Sequence, residues 1–167
     1  MSSARLPKLV FVTLVMIAAW QGLNAYPMLP NRLASHFDGS GVPNGFQSKP
    51  AFFKMYAAAI VLAAVFGFVV PRLLALLPNA LFSLPNKDYW LAPERRSETM
   101  GVFESYFGWF GCAIVLFAIS VFGFVIEANF HRPPRLDNTF LIVMLPLFLG
   151  FIIVWMVLFV RRFRTPR

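Results

Sequence analysis

The amino-acid sequence predicts an all-α integral membrane protein, a bundle of four transmembrane helices with a short structured extracytoplasmic loop. Hydrophobic residues make up 59% of the 167 positions and charged residues only 13%, whereas soluble domains carry about 25% charged residues. The chain also contains four apolar runs close to the roughly 20 residues that a spanning helix needs. None of these runs alternates polar and apolar residues as a barrel strand does, so helices are expected to satisfy the backbone polar groups in lipid.

The predicted spans belong to a single membrane domain, residues 1–167, and cover about residues 9–25, 52–70, 102–126 and 140–160. They leave an outer loop over residues 26–50 and an inner loop over residues 71–101. A cleaved signal peptide is the alternative for the first run, because Lys8 precedes an apolar stretch that ends at Ala25. We favour a span, since Leu23 and Asn24 make a poor cleavage site. A mature chain that starts at Tyr26 would contradict this prediction.

Positive charge is distributed unevenly across the predicted membrane. Five of the 15 Lys and Arg residues fall outside if the N-terminus is cytoplasmic, namely Arg32, Lys49, Lys54, Arg132 and Arg135. The positive-inside rule then predicts that both termini lie in the cytoplasm of a bacterium, with the protein in its cytoplasmic (inner) membrane. Because the cations lie at the borders of apolar runs, we assign the net charge of +8 to contact with the lipid bilayer and expect no nucleic-acid partner.

Small residues at four-residue spacing predict where the helices pack. They are Ala18 and Gly22 in the first span, Ala59, Ala63 and Gly67 in the second, and Gly101, Ser105, Gly108 and Cys112 in the third. Prolines are expected to end the second span at Pro71 and Pro78 and to bend the fourth at Pro146.

Glu104 is the carboxylate that lies within a predicted span, and intramembrane carboxylates are functional candidates. It lies about one turn from the cytoplasmic end, so an ion pair with Arg72 or Arg95 is the first expectation. A role in proton or ion movement is the alternative.

The outer loop is expected to be ordered. Pro27 and Pro30 should stop the first helix, and Asp38-Gly39 and Asn44-Gly45 are turn signals. Residues 32–37 and 46–49 could pair as a short hairpin.

Catalytic and metal-binding patterns are sparse. His36, Asp38 and His131 provide too few ligands for a closed metal site unless the two outer loops converge. We expect instead that His36 donates a hydrogen bond that holds the loop in place. The single cysteine, Cys112, lies in an apolar run and is expected to be a buried small hydrophobe. The sequence therefore predicts no catalytic residues, no metal and no cofactor.

The inner loop is expected to anchor the protein to the membrane surface. Pro93 and Glu94 suit the first turn of a helix that could run into the third span. Arg95 and Arg96 should bind lipid phosphates, and Arg95 could pair with Glu98. A surface for docking a partner is the alternative.

Two motifs resemble a bacterial family of membrane domains of unknown function that is related to the N-terminal part of SdpI-type immunity proteins. The outer motif comprises Leu29, Pro30, His36, Phe37, Asp38, Gly41, Pro43 and Lys49. The inner motif comprises Asn86, Lys87, Tyr89, Trp90, Leu91, Pro93, Glu94 and Arg95. The resemblance implies a role in immunity to a secreted peptide toxin and in signalling, although those relatives look like six-span proteins and this chain has four predicted spans.

The sequence therefore favours a non-enzymatic protein that binds a peptide or another membrane protein, with the outer motif as the first candidate site. A small transporter or channel component, or an accessory subunit of a membrane enzyme, are the alternatives.

Overall fold

The computed structural model describes residues 5–137 and 139–164. Four helices in this part of the chain are long and apolar enough to cross a membrane, Arg5–Met28, Lys49–Ala75, Pro93–Ala128 and Ile142–Arg164. The one sheet among the described residues is a small two-stranded hairpin. The predicted fold class, a four-helix membrane bundle with a short hairpin, is confirmed.

The elements follow one another as helices interrupted by one hairpin and two π-helical segments. In chain order they are α1 (Arg5–Met28), β1 (Arg32–Phe37), β2 (Pro43–Ser48), α2 (Lys49–Ala64), a π segment (Val65–Val69), α3 (Val70–Ala75), a 3₁₀ turn (Asn79–Leu81), α4 (Lys87–Trp90), α5 (Pro93–Ala128), a second π segment (Phe140–Met144) and α6 (Leu145–Arg164). Helix α5 has 36 residues and is about 54 Å long at 1.5 Å per residue. It is the central helix, because α1, α2 and α6 all contact it. It begins at Pro93, as the sequence predicted.

Two of the four prolines predicted to end helices lie inside them, whereas Pro30 and Pro78 follow the ends of α1 at Met28 and of α3 at Ala75, as predicted. Pro27 lies within the last turn of α1, and Pro71 lies inside α3, so the second spanning helix continues to Ala75. A proline ring clashes with the carbonyl of the residue four positions earlier. Each π segment is centred on such a residue, Gly67 for Pro71 and Ile142 for Pro146. The wider helical turn absorbs the clash, so the chain stays helical on both sides.

Small residues let the second spanning helix approach α5 closely, as expected, but the α5 residue at this contact is Gly111. A methyl group added to Gly67 would lie 3.3 Å from the Gly111 Cα, and one added to Gly111 would lie 3.0 Å from the Ala63 carbonyl oxygen. The predicted stripe omitted Gly111 and included Gly101, which faces open space. That part of the packing prediction was wrong, because the axial rotation of α5 is set by its partners rather than by its own sequence.

Helix α6 packs on α5 through aromatic rings. Phe148 stacks on Phe117 with ring centroids 4.1 Å apart, and Trp155 lies 4.7 Å from Phe110. The Trp155 indole N–H also donates to the Tyr106 carbonyl at 3.1 Å. No residue in the apolar window of the fourth spanning helix is buried within the protein, so most of α6 is available to lipid.

Candidate functional site

The hairpin turn is built by Asp38. Its carboxylate accepts hydrogen bonds from the Ser40 amide (2.9 Å), the Ser40 hydroxyl (2.7 Å) and the Val42 amide (3.0 Å), and these donors, the hydroxyl first, lower the pKa of Asp38. Gly41 has a φ of 79°, a conformation that favours glycine. The predicted turn at Asn44-Gly45 is therefore wrong: both residues lie in β2, because the Asp38 turn has already reversed the chain.

His36 lies exposed on β1, opposite Gly45. A methyl group at Gly45 would lie 3.0 Å from the His36 Cβ and Cδ2 atoms, so Gly45 makes room for the imidazole across the strands. Among the described residues the His36 side chain makes no hydrogen bond, which corrects the prediction that it holds the loop by donating one. Its contribution to the hairpin is steric.

Other residues of the outer motif join the hairpin to the helices. The Lys49 ammonium donates to the Leu29 carbonyl at 2.9 Å and lies 4.8 Å from the centre of the Tyr26 ring, so the start of α2 binds a carbonyl just beyond the end of α1. Leu29 is buried in the cluster against which Phe37 packs. Pro30 is exposed between α1 and β1, and Pro43 opens β2 opposite Phe37. These motif residues thus shape the loop.

Asn129 joins the second outer loop to the hairpin. Its side-chain oxygen accepts from the Ala34 amide at 2.9 Å, and its side-chain nitrogen donates to the carbonyls of Ala34 and Val125, each at 2.8 Å. The Leu136 amide donates to the Gly41 carbonyl at 3.0 Å. We call the combined surface, residues 29–48 and 129–137, the hairpin cap. The sequence did not lead us to predict a role for Asn129. The feature that could have identified it is a single amide side chain at the end of an apolar helix.

Two depressions open on the hairpin cap, on either side of His131. One has a volume of about 380 Å³ and is lined by Ser40, His131, Arg135, Leu136 and Asp137. The other has a volume of about 360 Å³ and is lined by Met28, Leu29, Pro30, Asn129, Phe130, His131, Arg132 and Pro134. The two outer loops therefore converge on one surface, and Leu29 and Pro30 of the outer motif reach it.

The carboxylates at this surface are engaged locally. Asp137 accepts from the Thr139 amide (2.8 Å) and hydroxyl (2.7 Å), and these bonds, the amide first, lower the pKa of Asp137. Glu127 lies 3.9 Å from His131. No group of three or more His, Cys, Asp and Glu side chains within residues 5–137 and 139–164 is arranged to hold a metal ion, so the imagined site of His36, Asp38 and His131 does not form there.

The inner motif forms a second cap that holds the end of α6. We call residues 76–100 and 161–164 the Trp90 cap. The Trp90 indole N–H donates to the Phe163 carbonyl at 2.8 Å, and Phe163 is fully buried. Asn86 adopts a left-handed conformation with φ 52° and donates to the Arg164 carbonyl at 2.8 Å. Leu91 is buried in the same cluster as Trp90.

Arg95 and Arg96 of the Trp90 cap contact the protein itself. Arg96 donates to the side-chain oxygen of Asn79 and to the carbonyls of Ala75 (2.9 Å) and Leu77 (2.8 Å). It therefore caps the end of α3, which corrects its predicted role in binding lipid phosphates. Arg95 stacks on Tyr89 at 4.1 Å. Its predicted pair with Glu98 does not form, since Glu98 lies 4.0 Å from Arg162.

The remaining inner-motif residues lie at the surface of this cap. Lys87 is half-buried in α4, whereas Pro93 and Glu94 are exposed in the first turn of α5. Pro93 occupies a position where its missing N–H leaves no hydrogen bond unmade.

Glu104 is half-buried beside a crevice that Lys8 and Arg72 also line. No ion pair within 4.0 Å joins it to a cation in the described part of the chain, so the predicted pair with Arg72 or Arg95 is wrong. The crevice volume is about 10 Å³, which is close to the space of a single water molecule.

A polar link inside the bundle was also missed. The Tyr56 hydroxyl donates to the Gln21 side-chain oxygen at 2.7 Å, and the Gln21 side-chain nitrogen donates to the Ile119 carbonyl at 3.3 Å. This link connects α1, α2 and α5, and hydrogen bonding makes the burial of its polar groups tolerable in lipid.

Comparison with known proteins gives one match. The profile of a family described as "Domain of unknown function (DUF1648)" matches residues 10–60, which run from α1 through the whole hairpin into α2. No curated protein and no solved structure matches the chain. With its four helices of spanning length, this chain is a membrane protein whose segment 10–60 is similar to that domain of unknown function.

Proposed function

We propose that this membrane protein is non-enzymatic and that it binds a peptide or another membrane protein at the hairpin cap. The observation that carries the proposal is the bonding of Asn129 to both backbone polar groups of Ala34. Those bonds join two loops separated by 95 residues into one ordered surface. A binding surface that is ordered before the ligand arrives loses less conformational entropy on binding.

The opposite end of the molecule fits this role less well. The polar side chains of Asn79, Asn86 and Arg96 bind carbonyls or side chains of the protein itself. Both caps expose large apolar side chains, but those of the Trp90 cap are Leu76 and Leu81, whereas those of the hairpin cap include the aromatic Phe46 and Phe130 beside Val42. Exposed aromatic side chains are common anchors in interfaces.

We further propose an orientation in which the hairpin cap faces outward from a bacterial cytoplasmic membrane and both termini are cytoplasmic. The excess of Lys and Arg in the other loops supports it. An SdpI-like role in immunity or signalling would use this orientation, because a secreted peptide meets the outer surface. The match of residues 10–60 to a domain of unknown function is compatible with that role.

The test is a challenge of cells that lack the gene with culture supernatants from neighbouring strains. We expect at least one supernatant to inhibit the deletion strain more than its parent. Wild-type protein should restore resistance, whereas the Phe130→Ser variant should not. Leu76→Ser removes an apolar side chain that is 81% exposed in the Trp90 cap and should restore resistance fully. Unchanged sensitivity across a broad panel would count against the proposal.

A small transporter, a channel component or an accessory subunit of a membrane enzyme is the competing function, with Glu104 as its best candidate residue. A crevice of about 10 Å³ leaves little room for a solute. Reconstituted wild-type and Glu104→Gln proteins should therefore give the same background ion flux, and a flux that depends on Glu104 would favour the competing function.

A further inference from the structure

The hairpin cap carries Arg32, Arg132 and Arg135 together with Asp38 and Asp137, and Glu127 borders it beside His131. Asp38 is bound by its own turn and Asp137 by Thr139. Arg132 and Arg135, in contrast, make no ion pair and no side-chain hydrogen bond to any residue in the ranges 5–137 and 139–164. The carboxylates of Asp38 and Asp137 thus already accept hydrogen bonds from nearby residues, whereas the N–H groups of the two guanidinium groups remain available to a ligand.

The loop that carries these arginines is fixed by its backbone. The Phe130 amide donates to the Glu127 carbonyl at 3.0 Å, the Arg135 amide to the Ala128 carbonyl at 3.2 Å, and the Leu136 amide to the Gly41 carbonyl at 3.0 Å. Arg132 and Arg135 therefore project from a loop whose position is set on both sides. Ordering only the side chains costs less free energy than ordering a mobile loop.

Each arginine lines its own depression, and each depression also has an apolar wall. Arg132 lies with Leu29 and Phe130, and Arg135 lies with Leu136 and with Asp137, whose carboxylate accepts from Thr139. A guanidinium beside an apolar wall fits a ligand that carries carboxylates and apolar side chains a short distance apart. An acidic peptide that also carries apolar side chains has that pattern.

We propose that the hairpin cap binds an acidic segment of a peptide, with Arg132 and Arg135 receiving its carboxylates and Phe130 contacting an apolar side chain. Guanidinium and carboxylate groups form paired, charge-assisted hydrogen bonds, which add orientation as well as affinity. This inference rests on the proposed function and deepens it, because it names the charge of the partner.

The experiment uses the full chain in nanodiscs of zwitterionic phosphatidylcholine and a display library of random dodecapeptides. We expect the selected peptides to be enriched in Asp and Glu over the starting library. The dissociation constant of an enriched peptide is then measured by fluorescence anisotropy for wild-type protein and for variants.

The variants separate local recognition from general charge. R132S/R135S should weaken binding by about tenfold, as expected for the loss of charge-assisted pairs. R32S removes a cation that belongs to the same cap but lies outside both depressions, and it should change affinity by less than about twofold. An equal loss in R32S and R132S/R135S would overturn the inference. The buried Cys112 should stay unreactive to a thiol reagent in each variant, which shows that the fold is intact.

Other outcomes are distinguishable. Selected peptides without acidic enrichment, whose binding depends on Phe130, would overturn the inference and leave the proposed function standing. A selection that yields no binding peptide would count against both. If added phosphatidylglycerol in the nanodisc abolishes binding of the acidic peptide, lipid headgroups occupy the arginines and the peptide assignment is overturned.

Discussion

At the scale of single residues, the hairpin cap depends on side chains that replace missing backbone partners. Strand β1 has one neighbouring strand, so the amide and the carbonyl of Ala34 on its other edge need partners from elsewhere. Asn129 supplies both from the end of α5. The position of the second outer loop is therefore set by one amide side chain.

Replacing Asn129 by Ala should leave two buried backbone groups of Ala34 without partners. Each unsatisfied group costs about 1–3 kcal/mol, and for a chain of this length about 1 kcal/mol corresponds to a fall of 2–4 °C in Tm. We expect a fall of at least about 5 °C, measured in detergent by the exposure of the buried Cys112 to a thiol-reactive dye. Exposed Asn44 in β2 provides the control, since Asn44→Ala should change Tm by less than about 2 °C. Equal effects of the two changes would contradict the assigned role.

Asp38 makes the hairpin turn sensitive to acid. Because the turn lowers the pKa of Asp38 below its ordinary value of 3.8, the ionised form favours the folded turn. That contribution is complete above about pH 4 and is lost as the pH falls through the lowered pKa. We expect the amides of Ser40 and Val42 to lose protection from hydrogen exchange below pH 3.8, after correction for intrinsic rates. In Asp38→Asn this acid-dependent loss should be absent, and the same pH dependence in both proteins would contradict the assignment.

At the scale of elements, the helices show how a proline can lie inside a membrane-spanning helix without ending it. Pro71 and Pro146 do not end their helices, because a chain that leaves the helix inside a bilayer exposes backbone polar groups to hydrocarbon. Each helix instead widens into a π turn four residues earlier, at Gly67 and Ile142. The sequence predicted that Pro71 would end the second span and that Pro146 would bend the fourth, and it did not predict the π turns.

The contact between α2 and α5 leads to a prediction that separates two glycines of one helix. Gly111→Ala should destabilise the protein by about 1–3 kcal/mol, because the new methyl group meets backbone atoms of Ala63 and Gly67 at 3.0 and 3.1 Å. Gly101→Ala meets nothing within 4 Å and should be neutral or stabilise by up to about 1 kcal/mol, since alanine has the higher helix propensity. Thermal unfolding followed by circular dichroism tests both. A Gly101→Ala variant that is as unstable as Gly111→Ala would refute this packing.

At the scale of the whole molecule, the two caps lie at opposite ends of a bundle organised around α5. Helix α5 runs from Pro93 in the Trp90 cap to Ala128 beside the hairpin cap. Its polar first turns extend beyond the apolar part of the span, and Thr99 is buried there with its hydroxyl donating to the Trp90 carbonyl at 2.7 Å. One continuous helix therefore carries both caps.

The proposed orientation can be measured with single cysteines in a Cys112→Ala background. Gly39→Cys places a thiol on the exposed hairpin turn, and Ser97→Cys places one on the exposed face of α5 in the Trp90 cap. We expect a membrane-impermeant maleimide to label Gly39→Cys in intact cells and Ser97→Cys only after lysis. The reverse pattern would contradict the positive-inside assignment, and labelling of both in intact cells would contradict a bundle with its caps on opposite sides.

Four helices of spanning length, the strand over residues 32–37 and the helix start at Pro93 could all be predicted without the structure. These features follow from local chemistry, namely apolar length, turn signals that flank a short segment, and a proline that fits a first helical turn. The same local logic failed at Asn44-Gly45, because a second turn signal at Asp38 with stronger side-chain bonds closed the hairpin first.

The tertiary structure alone decided which residues meet. Asn129 and Ala34 are 95 residues apart, and nothing in either segment shows that one amide will complete the edge of a strand. Gly111 rather than Gly101 faces α2, because all small residues of a helix look alike until its rotation is fixed by its neighbours. Arg96 binds the end of α3 and Arg132 and Arg135 stay available, although the three look equivalent in sequence, because a charge is satisfied only by acceptors that the fold brings within hydrogen-bonding distance.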